Sequence, residues 1–144
     1  MNAVSENVQT FFENYEKGIS LSDSDLLGKL YAETFMFAGQ QGSQAVKRDD
    51  FLKVVPKRSA FFKTIGLVSS TIRALEETRL DDDYLLIKVY WIMRFEKDAQ
   101  PPVFDENSAT YILFEHEHAL QIVFQLDHQD LTKRVQELGL LPAS

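Results

Sequence analysis

The sequence predicts an α+β fold, in which N-terminal helices precede a meander of long antiparallel strands and a short helix closes the chain. Three observations carry this. Apolar residues recur at helical spacing through the first part of the chain, and from Leu67 onward the pattern changes to alternation. A last capped amphipathic segment follows the strands. Helices segregated in sequence from consecutive strands make an α+β domain rather than a βαβ array.

Each element has its own signature. Val4, Val8, Phe11, Phe12 and Tyr15 share a helical face, with Ser5 placed to cap the start and Gly18 to end the helix in a left-handed conformation. In SLSDSDLLGKLYAETF, Ser22 is the expected N-cap of a second helix whose stripe is Leu26, Leu27, Leu30 and Tyr31. After Thr34 the helical period is lost, and TFMFAG reads as an aromatic strand ending at Gly39, followed by the turn GQQGS. A third helix is predicted from about Arg48 to Ile65, with Phe51, Leu52, Val55, Phe62 and Ile65 on its apolar side. Pro56 must kink it or restart it, because proline lacks the amide donor and crowds the preceding turn.

LVSSTIRALEETRL alternates loosely and DDD makes a turn. YLLIKVYWIMRFEK is a long strand, with Leu85, Ile87, Val89, Trp91, Met93 and Phe95 on one face and Leu86, Lys88, Tyr90, Ile92 and Arg94 on the other. VFDENSATYILFEHEH and ALQIVFQLDHQD are two further strands. DLTKRVQELGLL is a helix with Asp130 as N-cap, Leu131, Val135 and Leu138 inward, and Gly139 just past its end.

Composition bounds the function. The 144 residues, 44% hydrophobic, suffice for one domain spanning 1–144 with a single core. With no cysteine there is no disulfide and no thiolate chemistry, which fits a reducing, cytoplasmic setting. No run of apolar residues is long enough for a membrane span. A net charge of −7 argues against nucleic acid as a partner. The exception is local: Lys47, Arg48, Lys53, Lys57, Arg58 and Lys63 cluster on the third helix, as its solvated face or as an anion-binding patch. The chain has no GxSxG, GxxxxGK[ST] or GxGxxG motif.

Five stretches carry a family resemblance: the initial helix VQTFFENYEKG, the passage LLGKLYAETFMFAGQQG, the third helix ending FFKTIG, and the long strands LLIKVYWIMRFE and ALQIVFQLD. In this order they resemble the nuclear transport factor 2-like superfamily, especially its SnoaL-like branch. The resemblance implies a cone, in which a bent sheet wraps the helices around an apolar cavity. It also implies a homodimer through the outer sheet face. Ketosteroid isomerase-like members place a catalytic aspartate on the strand after the second helix and a tyrosine on the first helix. The matching positions here are at or beside Ala38, and at Phe11 or Phe12, with Tyr15 one turn later. Isomerase chemistry of that type therefore lacks its carboxylate and its oxyanion donor.

FEHEH and LDHQD bring imidazoles near carboxylates, but His118 and His128 stand roughly 30 Å apart along an extended strand of about 3.3 Å per residue, and HEHA reads as the hairpin turn. No metal site and no cofactor is expected. Regular alternation of Leu120, Ile122, Phe124 and Leu126 carries His128 onto the inner face at the cavity rim, as the one candidate catalytic residue, and turns Asp127 outward. The expected pocket is lined by Tyr15, Tyr31, Phe35, Phe37, Phe62, Trp91, Met93, Phe124 and His128. Three functions follow: binding of a small apolar molecule in the cone, a lyase or isomerase using His128 with a tyrosine hydroxyl, or a homodimeric interaction module built on the outer sheet face.

Overall fold

A computed structural model describes residues 4–140. The elements are α1 (Glu6–Leu21), α2 (Ser24–Gly28), β1 (Tyr31–Gly39), β2 (Gly42–Lys47), α3 (Arg48–Thr64), β3 (Leu67–Arg79), β4 (Tyr84–Phe95), β5 (Val103–His116), β6 (Ala119–Asp127) and α4 (Leu131–Glu137).

The helix boundaries follow packing more than local signals. α1 runs through Gly18 and stops at Ser22, which is left-handed at φ 51° and returns its amide to the carbonyls of Gly18 and Ile19. Gly18 is needed for a different reason than termination: a Cβ there would meet Leu27 Cδ2 at 2.8 Å, so the glycine lets α2 press on α1. Asp23, not Ser22, caps α2 by accepting the Leu26 amide at 3.0 Å. α2 lasts only five residues. Its expected continuation to Tyr31 is captured by the sheet, because Leu30 O accepts the Ile122 amide at 2.8 Å and Tyr31 then pairs with β6. The turn after Gly39 also opens an edge strand, β2, which pairs with β1 in a register that sets Gly39 opposite Gly42. Pro56 lies inside an uninterrupted α3.

The six strands form one sheet in the order β2-β1-β6-β5-β4-β3. All neighbours are antiparallel except β1 and β6, which run parallel because the chain returns to β1 only after crossing α3 and the β3–β5 meander. The register shifts twice along the β3–β4 pair, and again along β5–β6 and β1–β6. Such bulges bend and twist a strand, which is how this sheet curls around its helices. At the β5–β6 hairpin, Glu117 and His118 take positive φ of 52° and 67°, so HEHA is a tight turn.

The concave face is filled. Val8, Phe11, Phe12 and Tyr15 of α1 pack on Leu85, Ile87, Val89 and Trp91 of β4, Tyr111 and Leu113 of β5, Ile122 of β6, and Tyr31 and Phe35 of β1. Each such side chain taken from water contributes about 1.5–3 kcal/mol before chain entropy is counted. A second cluster joins Phe62 and Ile65 at the end of α3 to Met93 and Phe95 of β4 and to Val135 and Leu140 at α4. α4 is held there by Arg134 Nε, which donates to buried Asp105 at 3.1 Å, and by Lys97 Nζ donating to Leu140 O at 2.6 Å. On the convex face Leu86, Ile112, Phe124 and Met36 stand in one cross-strand row. Among the described residues no helix is long and apolar enough to cross a membrane.

Candidate functional site

The site originates in one residue of β6. Leu120 and Ile122 point into the cone and are buried. Ile122 pairs with Leu113, and the next paired residue, Phe124, faces Ile112, so Val123 is an extra residue with no partner in the ladder. A single inserted residue shifts the alternation that follows. Beyond Val123 the inward side chains are Gln125 and Asp127, while Phe124, Leu126 and His128 fall on the convex face.

Gln125, only 5% exposed, ends a line of three tyrosine hydroxyls inside the core. Tyr111 Oη donates to Tyr15 Oη at 3.1 Å, Tyr15 and Tyr31 share a 2.8 Å hydrogen bond, Tyr31 Oη donates to Gln125 Oε1 at 2.7 Å, and Gln125 Nε2 donates to Asp127 Oδ1 at 3.0 Å. An ionised carboxylate only accepts, so Asp127 fixes the direction of every proton in this line. Gln125 must turn its amide NH2 to Asp127 and its carbonyl to Tyr31. Tyr31 must therefore donate to Gln125, Tyr15 to Tyr31, and Tyr111 to Tyr15. Burial raises the pKa of Tyr15 and lifts Tyr31 and Tyr111 well above the ordinary 10.0, and the Asp127 charge adds to the rise at all three. These hydroxyls are therefore neutral donors, closed inside a packed aromatic cluster in which Tyr15 contacts Phe12, Tyr31, Trp91 and Tyr111.

Asp127 is where this line reaches open space. It borders a cleft of about 690 Å³ at the mouth of the cone, between α3, the β1–β2 hairpin and the segment joining β6 to α4. Phe37, Val54, Phe61 and Phe62 give the cleft apolar surface; Lys57, Arg58, Gln44 and Gln129 give it polar groups. The guanidinium of Arg58 lies 5.3 Å from the centre of the Phe62 ring, a cation–π contact. Among the described residues Lys57 and Arg58 form no ion pair. Gln129 is occupied in tying the segment down, its Oε1 accepting the Ser108 amide at 2.7 Å, and Asp130 caps α4 by accepting the Lys133 amide.

The structure divides the residues expected to share one pocket. Phe37 and Phe62 line the cleft. Tyr15, Tyr31, Phe35 and Trp91 are interior packing of the first cluster, and Met93 belongs to the second. Phe124 is corrected to the convex face by the Val123 bulge. His128 is corrected in the same way: its Nε2 sits 2.7 Å from Thr110 Oγ1, on the side of the sheet opposite Tyr15, Tyr31 and Tyr111. His128 is therefore separated by the sheet from the hydroxyls of Tyr15, Tyr31 and Tyr111. Asp127, expected to face outward, faces the cleft. Sequence reasoning missed Gln125 and Asp127 as a unit because the bulge has no local marker: valine is an ordinary strand residue. The basic cluster on α3 was visible, and two of its members, Lys57 and Arg58, reach the cleft.

No protein-family model matches the chain, and no curated protein matches it. Solved structures do. Aln2 from a Streptomyces species superposes with a TM-score of 0.71 at 11% identity, covering 93% of this chain and 99% of that one. A nuclear transport factor 2-like protein with a cystatin-like fold from Novosphingobium aromaticivorans gives 0.69 at 11% identity, covering 96% and 88%. A protein of unknown function with a cystatin-like fold from Nostoc punctiforme gives 0.67 at 10% identity, covering 90% and 96%. At these identities the likeness is one of fold.

Proposed function

We propose that this chain, which has the nuclear transport factor 2-like cone fold, is a small-molecule-binding protein of the SnoaL-like type, one domain over 1–144, whose ligand lies at the mouth of the cone. One observation carries the reading: Val54 and Phe61, 54% and 38% exposed, stand inside a concavity that also holds Phe37 and Phe62. Apolar side chains left wet in a cleft with a few polar groups are the usual composition of a ligand site. The interior expected to hold an apolar ligand is occupied by the tyrosine cluster, so the ligand's place moves outward to the cleft. A cytoplasmic setting fits the absence of cysteine.

The test is binding of the neutral dye Nile red, followed by fluorescence, beside native mass spectrometry of the protein as purified. Phe61→Glu should weaken dye binding about tenfold or more, because a charge replaces apolar contact, while Met36→Glu on the convex face should leave it unchanged. Equal binding by both variants and the parent protein would place the dye elsewhere and sink the reading.

A companion reading concerns the convex face. The row Leu86, Ile112, Phe124 and Met36 offers a contiguous apolar strip across four strands, which supports a homodimer through that face. Sedimentation at micromolar concentration should then give a dimer for the parent chain and a monomer for Phe124→Lys. A monomeric parent chain would contradict it.

A further inference from the structure

We infer that the ligand of the mouth cleft carries a dipolar head, a carboxylate held by Arg58 beside an amine or hydroxyl held by Asp127, as in an α-amino or α-hydroxy acid with an apolar side chain. This rests on the cleft reading and adds the chemistry of the head group. Its first support is Asp127 itself. The bulge at Val123 turns it inward, Gln125 occupies its Oδ1, and every proton of a buried line of three tyrosines and a glutamine points toward it. Asp127 borders the cleft, and among the described residues no hydrogen bond is made to its Oδ2. A group that satisfies it must donate.

The second support is Arg58. Its guanidinium is steadied over Phe62, borders the same cleft, and has no carboxylate partner among the described residues. A planar guanidinium with open donors fits a carboxylate. The third is the relation between the two. Asp127 and Arg58 line the same cleft at the mouth of the cone. They nevertheless do not pair with each other within ion-pair distance. Opposite charges that border one cleft and stay apart are complementary to a head with the reverse polarity. Phe37, Phe61 and Val54 then receive the side chain.

Calorimetry with three probes tests the head: L-phenylalanine, 3-phenylpropionate, which lacks the donor, and phenethylamine, which lacks the acid. Phenylalanine should bind about tenfold or more tightly than either, the factor expected of one charge-assisted hydrogen bond. Asp127→Asn should weaken phenylalanine and phenethylamine and spare phenylpropionate. Arg58→Gln should weaken phenylalanine and phenylpropionate and spare phenethylamine. Equal affinity for all three probes, or equal loss of all three in both variants, would overturn the inference. So would binding of none of them, and Nile red then separates the cases: retained dye binding leaves the cleft reading standing, and its loss removes both. Circular dichroism of each variant establishes that it is folded before binding is read.

Discussion

Tyr31 occupies the one position in the buried line where a hydroxyl both accepts from a tyrosine and donates to the glutamine. Replacing it with phenylalanine strands two groups at once, the Tyr15 proton and the Gln125 carbonyl, inside a buried cluster. Leaving a buried polar group unsatisfied costs about 1–3 kcal/mol, so Tyr31→Phe should lose roughly 2–4 kcal/mol in urea denaturation. Tyr111 only starts the line, and its removal leaves Tyr15 still donating to Tyr31. Tyr111→Phe should therefore cost about 1 kcal/mol or less. Equal losses for the two variants would show that the protons do not all run toward Asp127. Tyr15 and Tyr31 were both expected to line the interior, each on a helical stripe, although Tyr31 opens β1 instead. That the line ends on a carboxylate was not legible, because the carboxylate's direction depends on an inserted residue rather than on alternation.

Elements show the same division between what repeats and what is singular. β4 was readable residue by residue, since six inward positions alternate without interruption and all are buried. β6 was readable only as far as Ile122. One inserted valine reverses each later side chain, and that reversal exchanged His128 for Asp127 and Phe124 for Gln125. Gly18 is a further case in which tertiary contact overrides a local rule. Its residue type signals a helix end, yet it lies within α1 because Leu27, fully buried, occupies the space of its missing side chain. Helix propensity alone would reward Gly18→Ala with about 1 kcal/mol. Overpacking against Leu27 Cγ, 2.9 Å from the added methyl, should cost about 1–3 kcal/mol and outweigh it. The variant should therefore be less stable. In a Leu27→Ala background the same change should become neutral or stabilising, since the space is then free. A loss of equal size in both backgrounds would mean that α1 and α2 do not meet through this pair.

For the whole molecule, a polar line inside an aromatic core couples folding to alkaline pH. Tyr15, Tyr31 and Tyr111 hold their protons more tightly in the fold than the ordinary value of 10.0, chiefly because burial disfavours the phenolate. The folded state therefore binds more protons than the unfolded chain once the pH exceeds that value, and stability must fall as pH rises. Below it both states are fully protonated at these groups and the contribution is intact. Three groups that titrate only in the unfolded chain lower stability by up to about 4 kcal/mol per pH unit, at 1.36 kcal/mol each. Domains of ordinary stability, about 5–15 kcal/mol, cannot sustain that slope for long. Tyrosinate absorbance followed together with circular dichroism should show these three hydroxyls ionising in the same step in which the sheet is lost. Ionisation of all five tyrosines with the dichroism unchanged would mean that the line is open to water in the folded protein. Asp127 would then stand in a hydrated channel, with no fixed polarity to present to a ligand.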